Sequence, residues 1–453
     1  MRQFNFTHVS SQTKSLFVVA APLSLGLMSQ NLMTVIDSLM ISHLGLIALA
    51  AIGLGGFIIL ITNAMTVGFS TYVQRQTAYD LGTTLKQKKF TSLTIAILIA
   101  IVFLPAYSGL LYVYLPPALV DMHLNTQVTS AMIPYVELRL WAITLVGINF
   151  AFRGFFSATH YLKAYLLTTL IMHVANILFN YLFIFGNFGF PNLGLQGAAL
   201  ASLLATVIAS ACYFFILFKL KFYPGNIGIN NIRESLSGIL DVLIPYGLQQ
   251  MFFVSGFAVT LWIIGLTGTE NLAIAGLIFN VSLFFFLPAI GFGIATAGRI
   301  SHDMGAANYK SIVEWAQLAG ALVFVLFSLL SLPLIFFTEN FLQLFLDEPQ
   351  LVAIAVTPMK IAAILFGLEA LSLLYLQIFF AMNKGAQISA ISVSLQWLLF
   401  LPMLYFLVNH LTVTLDQIWL LLATFRIINI LLYIKLWLKI KKVLTSKAAK
   451  YSI

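Results

Sequence analysis

Long apolar runs, separated by short polar stretches, make up almost the whole chain. A transmembrane helix needs about 20 consecutive, mostly apolar residues, and twelve runs meet that length. The pattern therefore predicts an all-α integral membrane protein with twelve transmembrane helices. The predicted spans are 15–41, 46–73, 91–116, 129–152, 163–186, 194–218, 238–266, 271–298, 313–337, 350–382, 386–409 and 412–434.

Basic residues and acidic residues are concentrated in opposite sets of alternate loops between these spans. Of the 23 Lys and Arg residues, 20 fall in the termini or in alternate loops. Arg153 is one of the predicted loop residues. Because basic loops stay on the cytoplasmic side, we expect both termini to be cytoplasmic, in a plasma (inner) membrane. The exceptions, Arg139, Lys360 and Arg426, lie within or beside spans. The opposite loops have no Lys or Arg and contain Asp121, Glu270, Glu339, Asp347, Glu348 and Asp416.

The composition excludes several classes of protein. The chain is 61% hydrophobic and 8% charged, whereas soluble domains carry about 25% charged residues. A net charge of +9 spread over short loops orients a membrane protein and does not predict nucleic-acid binding. We find no Ser/His, paired-carboxylate, HExxH or Gly-rich nucleotide motif, so we expect neither an enzyme nor an organic cofactor. The single cysteine, Cys212, forms no internal disulfide.

An internal repeat links the two halves of the chain. Residues 22–82 align without gaps on residues 245–305 at an offset of 223, with 14 identities in 61 positions. Each half then contains six spans, so both copies start on the same side of the membrane. This arrangement predicts two lobes related by a pseudo-two-fold axis along the membrane normal, with a cavity between them, as in alternating-access transporters. The predicted domains are an N-lobe (1–220), a linker (221–237), a C-lobe (238–435) and a basic tail (436–453).

One carboxylate, Asp37, lies inside the first span, and its repeat partner is Thr260. An acidic residue at the centre of a bilayer costs about 2.5–3.5 kcal/mol on insertion scales, and such residues are usually functional. Asn176 and Asn180 in the fifth span, and Ser202 in the sixth, lie at a similar depth from the outer ends of their helices, counted at about 1.5 Å per residue. Their oxygens could coordinate Na⁺ in place of its water molecules, or surround an Asp37 carboxyl that accepts a proton. The alternative is that the amides and the hydroxyl only join neighbouring helices.

Other polar or bend-forming residues complete the set of candidates. Pro22 frees a backbone carbonyl in the first span and predicts a place where that helix bends. His173, one turn before Asn176, either relays protons or packs between helices. Candidate residues of the substrate cavity are Gln30, Gln249, Gln250, Phe253 and Glu369.

The chain resembles the multidrug and toxic compound extrusion (MATE) family of secondary transporters. The resemblance rests on Pro22 with Asp37 fifteen residues later, then HLGLIALAAIGLG, and on GFSTYVQRQTAYDLG, FRGFFSATH, NILFNYLFIFGNFGFPNLGLQGAALAS and GFGIATAGRISHDMGAANY. It implies twelve helices in two lobes and export of organic, often cationic, compounds driven by inward Na⁺ or H⁺. It also implies an N-lobe cation site at Asp37, Asn176, Asn180 and Ser202, the group that depth selects.

The sequence departs from the family pattern at three positions. Some relatives have an aspartate at the position of Asn180, and others have a glutamate at that of Phe253. An acidic residue of the tenth span would fall near Leu373, one turn after Glu369. The departures imply that ion coupling rests on the N-lobe.

We therefore predict a secondary multidrug exporter that exchanges organic compounds for H⁺ or Na⁺ by alternating access. The alternative is a lipid-linked precursor flippase of the same superfamily, which would need several cavity arginines where only Arg139 is a candidate. The expected partners are drug-like small molecules and the bilayer, with no nucleic acid, and we expect a monomer. No metal beyond Na⁺ at the four-residue site is predicted.

Overall fold

The computed structural model describes residues 6–83, 90–121, 125–221 and 238–451, and this part of the chain is helical with no strand. Residues 222–237 of the predicted linker and five basic loop residues (Arg2, Lys86, Lys88, Lys89, Arg233) lie outside it. Two π-helical turns, Ile239–Leu243 and Leu395–Phe400, lead into α9 and α15. The helices are α1 (Phe6–Ser42), α2 (Leu46–Ala64), α3 (Val67–Gly82), α4 (Thr91–Asp121), α5 (Thr126–Trp141), α6 (Ile143–Ala158), α7 (Leu162–Phe185), α8 (Gly194–Lys219), α9 (Ile244–Gly265), α10 (Thr269–Gly305), α11 (Tyr309–Phe336), α12 (Thr338–Leu342), α13 (Pro349–Ala381), α14 (Gly385–Ser394), α15 (Leu401–His410) and α16 (Leu415–Tyr451).

The helices confirm the predicted number of spans. Eleven are long and apolar enough to cross a membrane, and α5 and α6, bent by 48°, together form the twelfth. Apart from α1, which begins at Phe6 and not at 15, their starts agree closely with the apolar runs. Four ends differ by six residues or more: the runs ending at 73, 152, 298 and 434 continue as helix to Gly82, Ala158, Gly305 and Tyr451. Polar residues extend these helices beyond the apolar stretch, because helix formation does not require apolar side chains.

The chain packs as two compact units. One consists of residues 26–251, and the other of residues 1–25 together with 252–453. Both boundaries fall inside helices, α1 and α9, which are the first helices of the two repeats. The predicted lobe boundaries at 220 and 238 differ from these and remain a prediction.

The start of each repeat belongs to the unit that contains the rest of the other repeat. Glycines permit the close backbone contacts that this packing requires. In the first unit, a Cβ atom at Gly68 would lie 3.2 Å from the backbone nitrogen of Gly247 and closer still to the carbonyl oxygen of Leu243. In the second, a Cβ atom at Gly291 would lie 2.8 Å from the backbone nitrogen of Ser24. Gly68 and Gly291 are repeat partners, and so are Ser24 and Gly247. The same close contact thus occurs once in each unit.

A tight hairpin between α7 and α8 sets the register of the candidate site. Gly186 ends α7 in the left-handed conformation (φ 72°), which a residue without Cβ adopts at little cost. The backbone nitrogen of Leu193 donates to the carbonyl oxygen of Phe183 at 2.8 Å. Gly197, in the first turn of α8, lies so close to the Phe183 carbonyl that a side chain would clash. The two helices therefore run side by side from this end.

Candidate functional site

Asp37 lies in the last third of α1, half-buried, and lines a cavity of about 280 Å³ within the first unit. Its carboxylate is not locked by a basic partner. Among the described residues, no Lys, Arg or His nitrogen lies within 4.0 Å of it. Its acidic group is therefore available to a cation that enters the cavity.

The α7–α8 hairpin brings the other three predicted residues to this carboxylate. The Asn180 Nδ2 donates to Asp37 Oδ1 at 2.6 Å and to Asn176 Oδ1 at 3.2 Å. The Asn176 Nδ2 donates to the Ser202 hydroxyl at 3.2 Å. Asn176 and Asn180 are buried, with 5% and 0% of their surface exposed. The four residues that sequence analysis selected by depth thus form one connected polar cluster.

The neighbours of Asn176 determine the orientation of its amide. With the oxygen toward Asp37, two acceptors would lie 2.9 Å apart. With the amide rotated, Nδ2 donates to Asp37 Oδ1 at 2.9 Å, and Oδ1 accepts from the Ser202 hydroxyl and backbone nitrogen at 3.2 and 3.3 Å. Amide orientations follow from the surrounding hydrogen bonds, and these contacts favour the rotated amide. Asn176 links Asp37 to Ser202 in this orientation.

Two arginines share the cavity with Asp37. Arg139 is half-buried, and its Nε has no hydrogen-bond partner among the described residues. Arg153 was predicted to lie in a basic loop, and this prediction is wrong: α6 continues through it, and its side chain is 6% exposed. Its Nε donates to the Ser70 hydroxyl at 3.0 Å, and its guanidinium lies 4.4 Å from the ring centre of Phe150.

A close helix contact explains why Arg153 is buried. The neighbouring Gly154 lies against the backbone carbonyl of Ser70 on α3, a contact that no larger residue permits. The apolar run ends at residue 152, one position before Arg153, and hydropathy gives no signal that the helix stays buried beyond it.

The remaining candidates lie in different environments. Gln30 and His173 line the same cavity as Asp37, and His173 Nε2 lies 3.1 Å from the Ser29 hydroxyl oxygen. Gln249 is buried, 4% exposed, and is not among the residues that line the cavity. Pro22 lies within α1, which continues through it as helix.

Glu369 forms an ion pair in the second unit. Its Oε1 lies 3.0 Å from the Nε of Arg426, and both side chains are largely shielded from solvent. The Arg426 guanidinium is also 5.9 Å from the ring centre of Phe253. Among the charged residues that the sequence placed inside spans, Glu369 therefore forms a direct ion pair, whereas Asp37 has no basic nitrogen of the described residues within 4.0 Å.

Comparison with known proteins identifies the family. A family model described as MatE matches residues 22–182 and 245–406. The chain belongs to the MatE family. The two matches begin at Pro22 and Pro245, the offset of 223 that defines the internal repeat, so the MatE unit occurs twice in the chain.

Curated relatives and solved structures agree with this assignment. The chain is 25% identical over 80% of both chains to the probable multidrug resistance protein NorM of Bacillus anthracis. It is 25% identical over 57% of both chains to a protein of the same name from Thermotoga maritima. A mutant of the Vibrio cholerae MATE transporter VcmN has a similar fold, with a TM-score of 0.87 and 20% identity, covering 97% of this chain and 98% of that one. The chain is thus an integral membrane protein with the fold of MATE transporters.

Proposed function

We propose that this MatE protein exports small organic compounds in exchange for H⁺ or Na⁺, with Asp37 as the ion-binding group. The observation that carries the proposal is the free carboxylate held among three oxygen-bearing side chains in a cavity. Placing a carboxylate inside a helix bundle is unfavourable, and a cation bound there would offset that cost. The orientation with both termini cytoplasmic, the plasma membrane location and the monomeric state belong to the same proposal.

The hydrogen bond from Asn176 to Asp37 suggests how ion binding changes the cluster. With Asp37 empty and ionised, the Asn176 amide nitrogen donates to it at 2.9 Å. A proton or Na⁺ that binds Asp37 competes with this donor for the carboxylate oxygen. The bond network between α1, α7 and α8 is therefore different in the two states. A difference of a few kcal/mol between states is enough to shift a conformational equilibrium.

The cavity at Asp37 has about 280 Å³, at the lower end of the range of about 300–1,000 Å³ for drug-sized ligands. Arg139 and Arg153 line it together with Asp37, and their charge disfavours a cation that does not contact the carboxylate directly. A small ion makes that contact more readily than an organic compound. We therefore assign this cavity to the ion and its water molecules. The argument against a flippase relied on Arg139 as the only cavity arginine, and Arg153 is a second one. The similarity to NorM proteins nevertheless favours export of drug-like compounds.

Transport by proteoliposomes tests the proposal. A fluorescent organic compound is loaded, and a Na⁺ gradient or a pH gradient is imposed separately at zero membrane potential. We expect one of the two gradients to drive efflux, and Asp37→Asn to abolish this dependence. Ser38→Ala serves as the matched control, because the Ser38 hydroxyl only donates to the Thr34 carbonyl of its own helix at 3.0 Å. Full ion-driven efflux by Asp37→Asn would refute the assignment.

A further inference from the structure

The last helix, α16, continues well beyond the membrane-length apolar run. The predicted span ends at residue 434 and the helix at Tyr451, so 17 residues (451 − 434) extend it by about 26 Å at 1.5 Å per residue. No acidic residue follows Asp416 in the chain. The extension carries Lys435, Lys439, Lys441, Lys442 and Lys447.

This extension is packed along one face. Trp437 and Leu444 are buried, and the Trp437 ring lies 5.9 Å from the ring of Tyr375. Near the end of the helix, the Lys447 ammonium lies 5.4 Å from the ring centre of Tyr309. The extension is therefore a helical element that packs within the second unit, with its buried face on Trp437 and Leu444.

A groove lies between this extension and the start of α14, within the second unit. Its volume is about 750 Å³. Three lysines line it: Lys384 from the connection between α13 and α14, and Lys439 and Lys447 from α16. None of the described residues that line it is acidic. Its apolar wall includes Met304, Met382, Ile391, Val443 and Leu444.

The chemistry of this basic groove indicates its ligand. Three ammonium groups without a lining carboxylate attract a phosphate, while an apolar wall next to them accommodates hydrocarbon, at about 0.8 kcal/mol per buried CH₂ group. A soluble phosphate compound would not use the apolar wall. Lys384 and Lys439 lie two and five residues beyond the ends of their predicted spans (382 and 434), on the side where the basic loops are predicted, and hence at the level of the lipid headgroups. Lys447 lies further along α16, at the ring of Tyr309. Basic pockets between transmembrane helices at this level bind anionic lipids.

We propose that the basic groove binds the headgroup and upper acyl chain of an anionic phospholipid from the bilayer. Lys384 and Lys439 hold the phosphate, Lys447 adds positive charge further along the groove, and the methionine and aliphatic side chains hold the chain. A bound lipid would join α14 to the extension of α16. This proposal concerns a site in the second unit and does not depend on the ion assignment at Asp37.

Lipid binding to the full-length protein tests this proposal. Native mass spectrometry of the detergent-purified protein measures retention of phosphatidylglycerol, with phosphatidylcholine of the same acyl chains and inorganic phosphate as comparison ligands. The test variant is K384Q/K439Q/K447Q. The control, K14Q/K163Q/K310Q, removes three lysines that lie outside the groove, so the net charge of the two variants is equal. Thermal unfolding without added lipid verifies that both variants are folded.

We expect the wild type and the control to retain phosphatidylglycerol in preference to phosphatidylcholine. Since each lysine near an anionic headgroup strengthens binding several-fold, the test variant should bind roughly 100-fold more weakly. Equal retention of phosphatidylglycerol by the test variant and the control would overturn the proposal. So would equal binding of phosphatidylcholine by the wild type, or displacement of the lipid by inorganic phosphate at matched concentration.

Discussion

Replacing Asn180 by aspartate is the most direct probe of the ion site. The Asn180 side chain is completely buried, and its Nδ2 lies 2.6 Å from Asp37 Oδ1. Asn180→Asp replaces this donor by a carboxylate oxygen with almost no change in shape. Two carboxylates then face each other, and no basic nitrogen of the described residues lies within 4.0 Å of Asp37.

The expected effect is large because the charges are close. Two unit charges about 3 Å apart repel by about 5 kcal/mol at an effective dielectric constant of 20. A bound cation removes this repulsion, so the variant should bind its coupling ion more tightly than the wild type. Desolvation of the added carboxylate reduces the gain, and we expect the half-saturating ion concentration to fall by at least about tenfold, or 1.4 kcal/mol.

Ion-driven efflux from proteoliposomes measures this effect. External Na⁺ is varied at fixed pH, and pH is varied at fixed Na⁺, so that the half-saturating concentration of each ion is obtained separately. Asn187→Asp is the charge-matched control, because Asn187 lies beyond the end of α7 and its amide donates only to the Tyr181 carbonyl at 3.1 Å. If Asn180→Asp left both half-saturating concentrations unchanged in folded, active protein, Asn180 would not be part of the ion site.

Three further changes test other parts of the structure. Arg139→Gln should lower the half-saturating concentration of the coupling ion severalfold in the same assay, since it removes a like charge from the cavity; an increase would contradict this. Glu369→Gln should destabilise the protein in thermal unfolding by about 3–5 kcal/mol, because it leaves Arg426 unpaired, whereas Glu369→Leu with Arg426→Met should recover most of that loss. Gly68→Ala should lower the unfolding temperature because its Cβ would clash with the backbone of the first turns of the second repeat, whereas Gly56→Ala, with no atom within 4 Å of its Cβ, should not.

The membrane architecture and the polar cluster at Asp37 follow from the sequence for simple reasons. Twelve apolar runs of membrane length predict twelve spans, because a bilayer requires backbone hydrogen bonds to be satisfied within each segment. The proximity of the cluster residues was predictable because helix rise is constant, so that residue count from the outer ends places Asp37, Asn180 and Ser202 at a common depth. Neither inference needs any knowledge of how the helices pack.

Other features depend on packing and were not predictable. The burial of Arg153 depends on the contact of Gly154 with α3, which no hydropathy pattern shows. The ion pair of Glu369 with Arg426 joins residues 57 positions apart (426 − 369) on different helices. The packing of residues 1–25 in the unit of the second repeat is likewise a tertiary property.

The second repeat shows what the same scaffold carries at the positions of the polar cluster. The partner of Asp37 is Thr260, which is buried and donates to the Gly256 carbonyl of its own helix at 2.7 Å. At the offset of 224 that aligns FFSA with FFAM, Asn176 and Asn180 correspond to Phe400 and Leu404, which are 4% and 0% exposed. Apolar packing therefore suffices to hold these helix positions together. Because the fold does not require the polar cluster of the first repeat, its unfavourable half-buried carboxylate supports the proposal that Asp37 binds the coupling ion.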